Sequence, residues 1–146
     1  MSLEYTLEII GSQHPALLKI QLGELPCYGL DDDKLWAYGM QIHIDKPGSL
    51  ESNTIIEEFG FLPSVSITFR VNKNADMEEV RKCLILGCME LLSNNSEDAV
   101  LLFNGETVIM WRRETMLLLN KIKGFWTDDV LAQIPIAYNL ETMPNI

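Results

Sequence analysis

Apolar and polar positions alternate from the start of the chain: Leu3, Tyr5, Leu7 and Ile9 fall on one side, and Glu4, Thr6 and Glu8 on the other. That period of two predicts a half-buried strand, closed by Gly11. The next stretch, 14–23, reads as a short helix, with Pro15 at the first position, where a missing amide hydrogen costs nothing, and Gly23 just past the end. A polar loop holding "GLDDDK" follows. Beyond it "LWAYGMQIHID" (35–45) sets Met40, Ile42 and Ile44 against Gln41, His43 and Asp45, predicting a strand with an exposed polar face. Residues 49–63 are ambiguous, a helical turn ending near Gly60 being one reading, and 64–71 predicts a strand with Val65, Ile67, Phe69 and Val71 inward.

The strongest helical pattern lies in 75–95. Asp76 is placed as N-cap with Glu79 three residues on, Met77, Val80, Leu84, Cys88 and Leu91 form one stripe, and Asn94-Asn95 provides a stop. Two strongly apolar runs, 99–103 and 107–112, are then reversed around Asn104-Gly105, a pair that tolerates the positive φ of a tight hairpin. "MLLLN" (116–120) adds a third antiparallel strand, Thr127 caps a short helix with Asp128 and Asp129 at its positive end, and 135–141 makes a last strand, placed at an edge by Pro135. The expected fold is α+β: a mainly antiparallel sheet of about six to seven strands with two main helices on one face. It has a ferredoxin-like β-α-β-β-α-β start extended by a meander, a short helix and a last strand. In such a sheet, the hairpin's second face (Val100, Leu102, Val108, Met110) must either be covered by another element or meet a partner.

Length and composition fit one domain spanning 1–146: 47% of residues are hydrophobic and 22% charged, with no repeat or Pro/Gly/Ser-rich linker. The net charge of −10, from 21 acids against 11 bases, repels a phosphate backbone and argues against nucleic acid as a partner. No apolar run is long enough for a membrane span, and "MSLEYTLEIIG" lacks the features of a signal peptide, so a cytoplasmic location is expected. Cys27, Cys83 and Cys88 are too few and too scattered for a disulfide framework. Cys83 and Cys88 point about 140° apart on their helix, and the three are read as buried small apolar residues.

Catalytic constellations do not emerge. The two imidazoles, His14 and His43, sit at a helix start and on a polar strand face, and no GxSxG elbow accompanies a serine. Asp31, Asp32 and Asp33 are consecutive rather than alternating, so they lack the pattern of a calcium loop, and no CxxC or HExxH is present. The glycines are dispersed rather than gathered into a phosphate loop. No catalytic, cofactor-binding or metal residue is assigned, and a non-enzymatic protein is expected.

The segments "EEFGFLPSVSITFRVNKNADMEE", "DAVLLFNGETVIMWRR" and "GFWTDDVLAQIPIAYNLETMP", with "LEYTLE" at the start, resemble the type-three immunity proteins of bacterial swarm-inhibition toxin systems, known best from myxobacteria. The resemblance is clearest from Glu57 onward and weakest over 11–52. Arg112-Arg113-Glu114-Thr115 stands where relatives often have a glycine-containing turn. It implies a protein that binds and neutralises a cognate toxin, and it carries no catalytic residues across. For partner contact the residues favoured are Asp31, Asp32 and Asp33 with Trp36, then Glu57 and Glu58, acids able to pair with a basic toxin beside an aromatic anchor. Two other readings stay open: a small ligand-binding domain or enzyme with a pocket near Trp36, Tyr38 and Trp111, and a homodimer formed through the hairpin's second face.

Overall fold

The computed structural model describes residues 2–11 and 13–146. In chain order the elements are β1 (Leu3–Ile9), α1 (Pro15–Gly23), β2 (Tyr28–Asp31), β3 (Lys34–Ala37), β4 (Met40–Asp45), α2 (Ser49–Phe59), β5 (Val65–Val71), α3 (Met77–Leu92), β6 (Ala99–Phe103), β7 (Thr107–Arg113), β8 (Met116–Asn120), α4 (Asp128–Leu131) and β9 (Tyr138–Glu141). All nine strands join one sheet in the order β2-β3-β4-β5-β1-β6-β7-β8-β9. Every pairing is antiparallel except β8 with β9, which is parallel.

Nine strands replace the six to seven expected, and the difference arises in one place. The polar loop 28–34 is half of a hairpin: Tyr28 and Leu30 pair with Ala37 and Leu35 around a turn at Asp32-Asp33. The single strand expected over 35–45 is broken at Tyr38-Gly39, where Gly39 has φ +67° and a Cβ would collide with Ala75 and Val80. The break does show as a shift of one position in the alternation: Leu35 and Ala37 face inward before the turn, and Met40, Ile42 and Ile44 after it, because Ala37 and Met40 pair across the two-residue turn and share a face. Within 49–63 the ambiguity resolves to a full helix, α2, closed by Gly60 at φ +77°.

One sheet face packs on α1, α3 and α4 through Leu7, Leu22, Ile67, Phe69, Leu84 and Leu101. The opposite face carries a smaller core, where Ile55 and Phe59 of α2 and Phe61 lie on Val100, Leu102 and Val108, with Met143 and Ile146 of the C-terminal segment beside them. The two main helices expected on one face, α1 and α3, do share it, and α2, left ambiguous by the sequence, covers the other. The placing of Met110 is corrected. A β-bulge, one residue longer on β7, sets Leu101 opposite Met110 but Leu102 opposite Val108. Ile109 and Met110 therefore both enter the main core, and Trp111 turns to the α2 side.

Past the bulge, Arg112 also faces the main helices and is buried. Its Nη1 donates to the Leu92 carbonyl at 2.6 Å, its Nε to the Glu97 carbonyl at 2.7 Å and its Nη2 to Asn95 Oδ1 at 2.7 Å. It thereby satisfies acceptors left open at the end of α3. Buried Asn120 ties down the other end of the chain: its Nδ2 donates to the Val108 carbonyl at 2.6 Å and its Oδ1 accepts from Met143 N at 2.8 Å.

The cysteine reading is corrected as well. Cys27 and Cys83 form a disulfide across 56 residues of sequence, with Cα atoms 6.4 Å apart, leaving Cys88 free and buried. Cys27 is exposed, not buried. Beside it, Tyr28 packs against Gly87 of α3, where any Cβ would strike its ring, and its hydroxyl donates to the Cys83 carbonyl at 2.6 Å.

The β7–β8 turn is built on residues that suit it poorly. Glu114 and Thr115 both have positive φ, 50° and 71°, a conformation that crowds the β-branched Thr side chain. Thr115→Gly is expected to stabilise the protein by about 1 kcal/mol; a thermal melt at unchanged or lower midpoint would refute this account of the turn.

Candidate functional site

The β2–β3 hairpin brings together the first group of expected contact residues. Trp36 lies directly across from Gly29, and its indole occupies the space a Gly29 side chain would need. From there Trp36 Nε1 donates to Asp31 Oδ2 at 3.1 Å, leaving the ring 41% exposed. Asp32 takes the left-handed position of the turn, φ 53°, which Asp tolerates better than most side chains. Lys19 of α1 reaches the same turn, donating to the Asp33 carbonyl at 3.1 Å with its ammonium 3.4 Å from Asp33 Oδ1.

These groups border an open cleft of about 470 Å³ at the sheet edge, where β4 runs past the end of β3. His43, Asp45 and Lys34 complete its wall. Sequence reading missed that Lys19, His43 and Asp45 belong with the acidic turn. The signal available was the alternation of Tyr28 and Leu30, then Leu35 and Ala37, on either side of the three aspartates.

Glu57 and Glu58 are exposed on α2, but the structure does not bring them to the hairpin. α2 packs on β6 and β7, while β3 lies four strand spacings from β6, about 19 Å across the sheet. The pocket expected near Trp36, Tyr38 and Trp111 does not form as such. Trp36 and Tyr38 are exposed at one edge, and Trp111 lies far across the sheet against Phe59, ring centroids 5.1 Å apart. The hairpin face required for a homodimer is occupied by α2 and by Met143 and Ile146. Among the described residues, no group of three or more His, Cys, Asp or Glu side chains is placed to hold a metal ion, and no helix is long and apolar enough to cross a membrane.

A second polar feature lies beneath α2. Glu8, on the strand face expected to be exposed, is 3% exposed. Ser66 Oγ donates to its Oε1, and its Oε2 has no partner. Burial pushes the Glu8 carboxyl above the ordinary carboxylate range, the Ser66 hydrogen bond opposes this, and the like charge of Glu51 on α2 adds to it. In the same lateral row, across Val100, Trp111 has a buried Nε1 without a partner.

These features define a class: an α+β protein with an acidic, aromatic-bearing hairpin beside an open cleft. The chain belongs to the SitI3-like family, whose model matches residues 3–130. No curated protein and no solved structure matches the chain.

The buried glutamate has a direct thermodynamic consequence. A carboxyl whose value is raised on folding lends stability at acid pH and loses it as pH climbs through the raised value, so at neutral pH charged Glu8 opposes folding. Glu8→Gln is expected to raise the melting temperature by a few degrees at pH 7 and to lose that advantage near pH 4. A variant destabilised equally at both pH values would show that the carboxylate is satisfied by a group other than Ser66.

Proposed function

We propose that this chain is a non-enzymatic immunity-type protein that binds and neutralises a cognate bacterial toxin in the cytoplasm of the cell it protects. The observation that carries this reading is membership of the SitI3-like family across residues 3–130. The surface chemistry supports it: a net charge of −10 draws a basic partner and repels nucleic acid. We read residues 1–146 as one domain, with the β2–β3 hairpin as its first point of contact.

In this reading Asp31, Asp32 and Asp33 meet Lys or Arg side chains of the toxin, and Trp36, half exposed and held by Asp31, supplies an anchor of the kind that dominates interface energetics. Glu57 and Glu58 form a separate acidic patch on α2. The cleft favours a second reading, a small-ligand site, because its volume of about 470 Å³ places His43 beside Trp36. A small ligand would be held by cleft walls that include Asp31 and Asp33, so it is told from a toxin by replacing His43, which lines the cleft away from the turn.

The test uses the product of any toxin-like gene beside this one and calorimetry at low and high salt. Replacing Asp31, Asp32 and Asp33 together by Lys is expected to weaken the complex by about 10- to 100-fold at low salt, with a smaller loss at high salt, because exposed charges are screened. Trp36→Ala is expected to cost at least about 2 kcal/mol of binding energy at either salt concentration. Unchanged affinity in both variants would reject the hairpin as the contact surface. Failure of the wild-type protein to bind any toxin-like neighbour would reject the function.

A further inference from the structure

The disulfide joins two very different positions. Cys27 is exposed and holds a left-handed backbone, φ 63°, immediately before β2. Cys83 is 5% exposed on α3, one turn before Gly87, against which Tyr28 packs. The bond therefore runs from an exposed cysteine in the loop to a buried one in the helix, at the base of the hairpin that carries Asp31 to Trp36. We propose that Cys27–Cys83 is a reversible thiol–disulfide site that locks the β2–β3 hairpin onto α3 when oxidised and loosens it when reduced.

The exposure difference sets the order of the chemistry. The Cys27 thiolate attacks a low-molecular-weight disulfide, forming a mixed disulfide and expelling one thiolate. The Cys83 thiolate then attacks the Cys27 sulfur, closing the protein disulfide and expelling the second. The two protons given up by the cysteines are taken by the two expelled thiolates, so two protein thiols and one small disulfide yield one protein disulfide and two small thiols. Reduction runs the same steps backwards.

Two further observations make this a clean two-state site. Cys88, five residues along the same helix, is fully buried, and burial drives its thiol far from ionisation; with no thiolate available, it cannot compete in exchange. Tyr28, the residue after Cys27, is seated on Gly87 with its hydroxyl on the Cys83 carbonyl, a contact that needs no sulfur–sulfur bond. Reduction removes the covalent restraint on the loop before β2, so the loop and hairpin are expected to loosen without the sheet unfolding. Any effect on partner binding rests on the hairpin being the contact surface; the lock itself does not.

The experiment takes the full chain through glutathione buffers from reducing to oxidising, reads cysteine pairing by alkylation and mass spectrometry, and follows amide hydrogen exchange over residues 24–37. One transition is expected, pairing Cys27 with Cys83 alone. Exchange in 24–37 should be about tenfold slower in the oxidised protein. Cys27→Ser should exchange like the reduced protein in every buffer, and Cys88→Ala should leave the transition unmoved. The proposal is overturned if Cys27 and Cys83 stay unpaired in the most oxidising buffer, if Cys88 joins the exchange, or if 24–37 exchanges equally in both states. No toxin enters the measurement, so its outcome is separate from that of the binding test.

Discussion

The extra residue in β7 sets which side of the sheet each later side chain of that strand faces. Without the bulge opposite Leu101 and Leu102, strict alternation would put Met110 and Arg112 with Val108 on the α2 side and leave Trp111 among the main helices. With it, Met110 fills the main core, and Arg112 reaches the carbonyls of Leu92 and Glu97. A buried guanidinium is costly unless its donors are used. Here burial works against the charge while Asp98 and Glu97 support it, and the three hydrogen bonds hold the α3–β6 connection where the strand needs it.

β6 and β7 carry buried apolar side chains on both faces, so the sheet needs cover on both. α1 and α3 supply one side. The other is closed by two pieces that are not neighbours in sequence: α2, inserted between β4 and β5, and the C-terminal segment held by Asn120 and by Ile146 N donating to the Glu106 carbonyl at 2.9 Å. The smaller core under α2 is less ideal than the main one. It contains the half-satisfied Glu8 and the unpartnered Trp111 indole, buried polar atoms that cost stability in proportion to their missing partners.

At the far edge of the sheet the logic differs. The β2–β3 hairpin is stabilised chiefly through its base, where Tyr28 and Cys27 meet α3, and through Lys19 at its tip. Its outer surface is left to Trp36, the aspartates and His43, in the region where the resemblance to relatives was weakest. The hairpin thus joins a well-anchored base to an exposed tip.

Much of the scaffold was legible in the chain. Period-two alternation located β1, β5 and the β6–β8 meander, Asp76 and Thr127 cap their helices as read, and Pro15 opens α1. The missed features share a cause. The break at Gly39 shows only as a one-position shift between Ala37 and Met40, the bulge at Ile109 is a single added residue inside an apolar run, and Glu8 has the same polar signature buried as exposed. The pairing of Cys27 with Cys83 spans 56 residues. Local pattern fixes which residues prefer a helix, a strand or a turn, because those preferences act over a few residues. Which face is covered, which carboxylate is buried and which cysteines meet depend on segments far apart in sequence, and only packing the chain decides them.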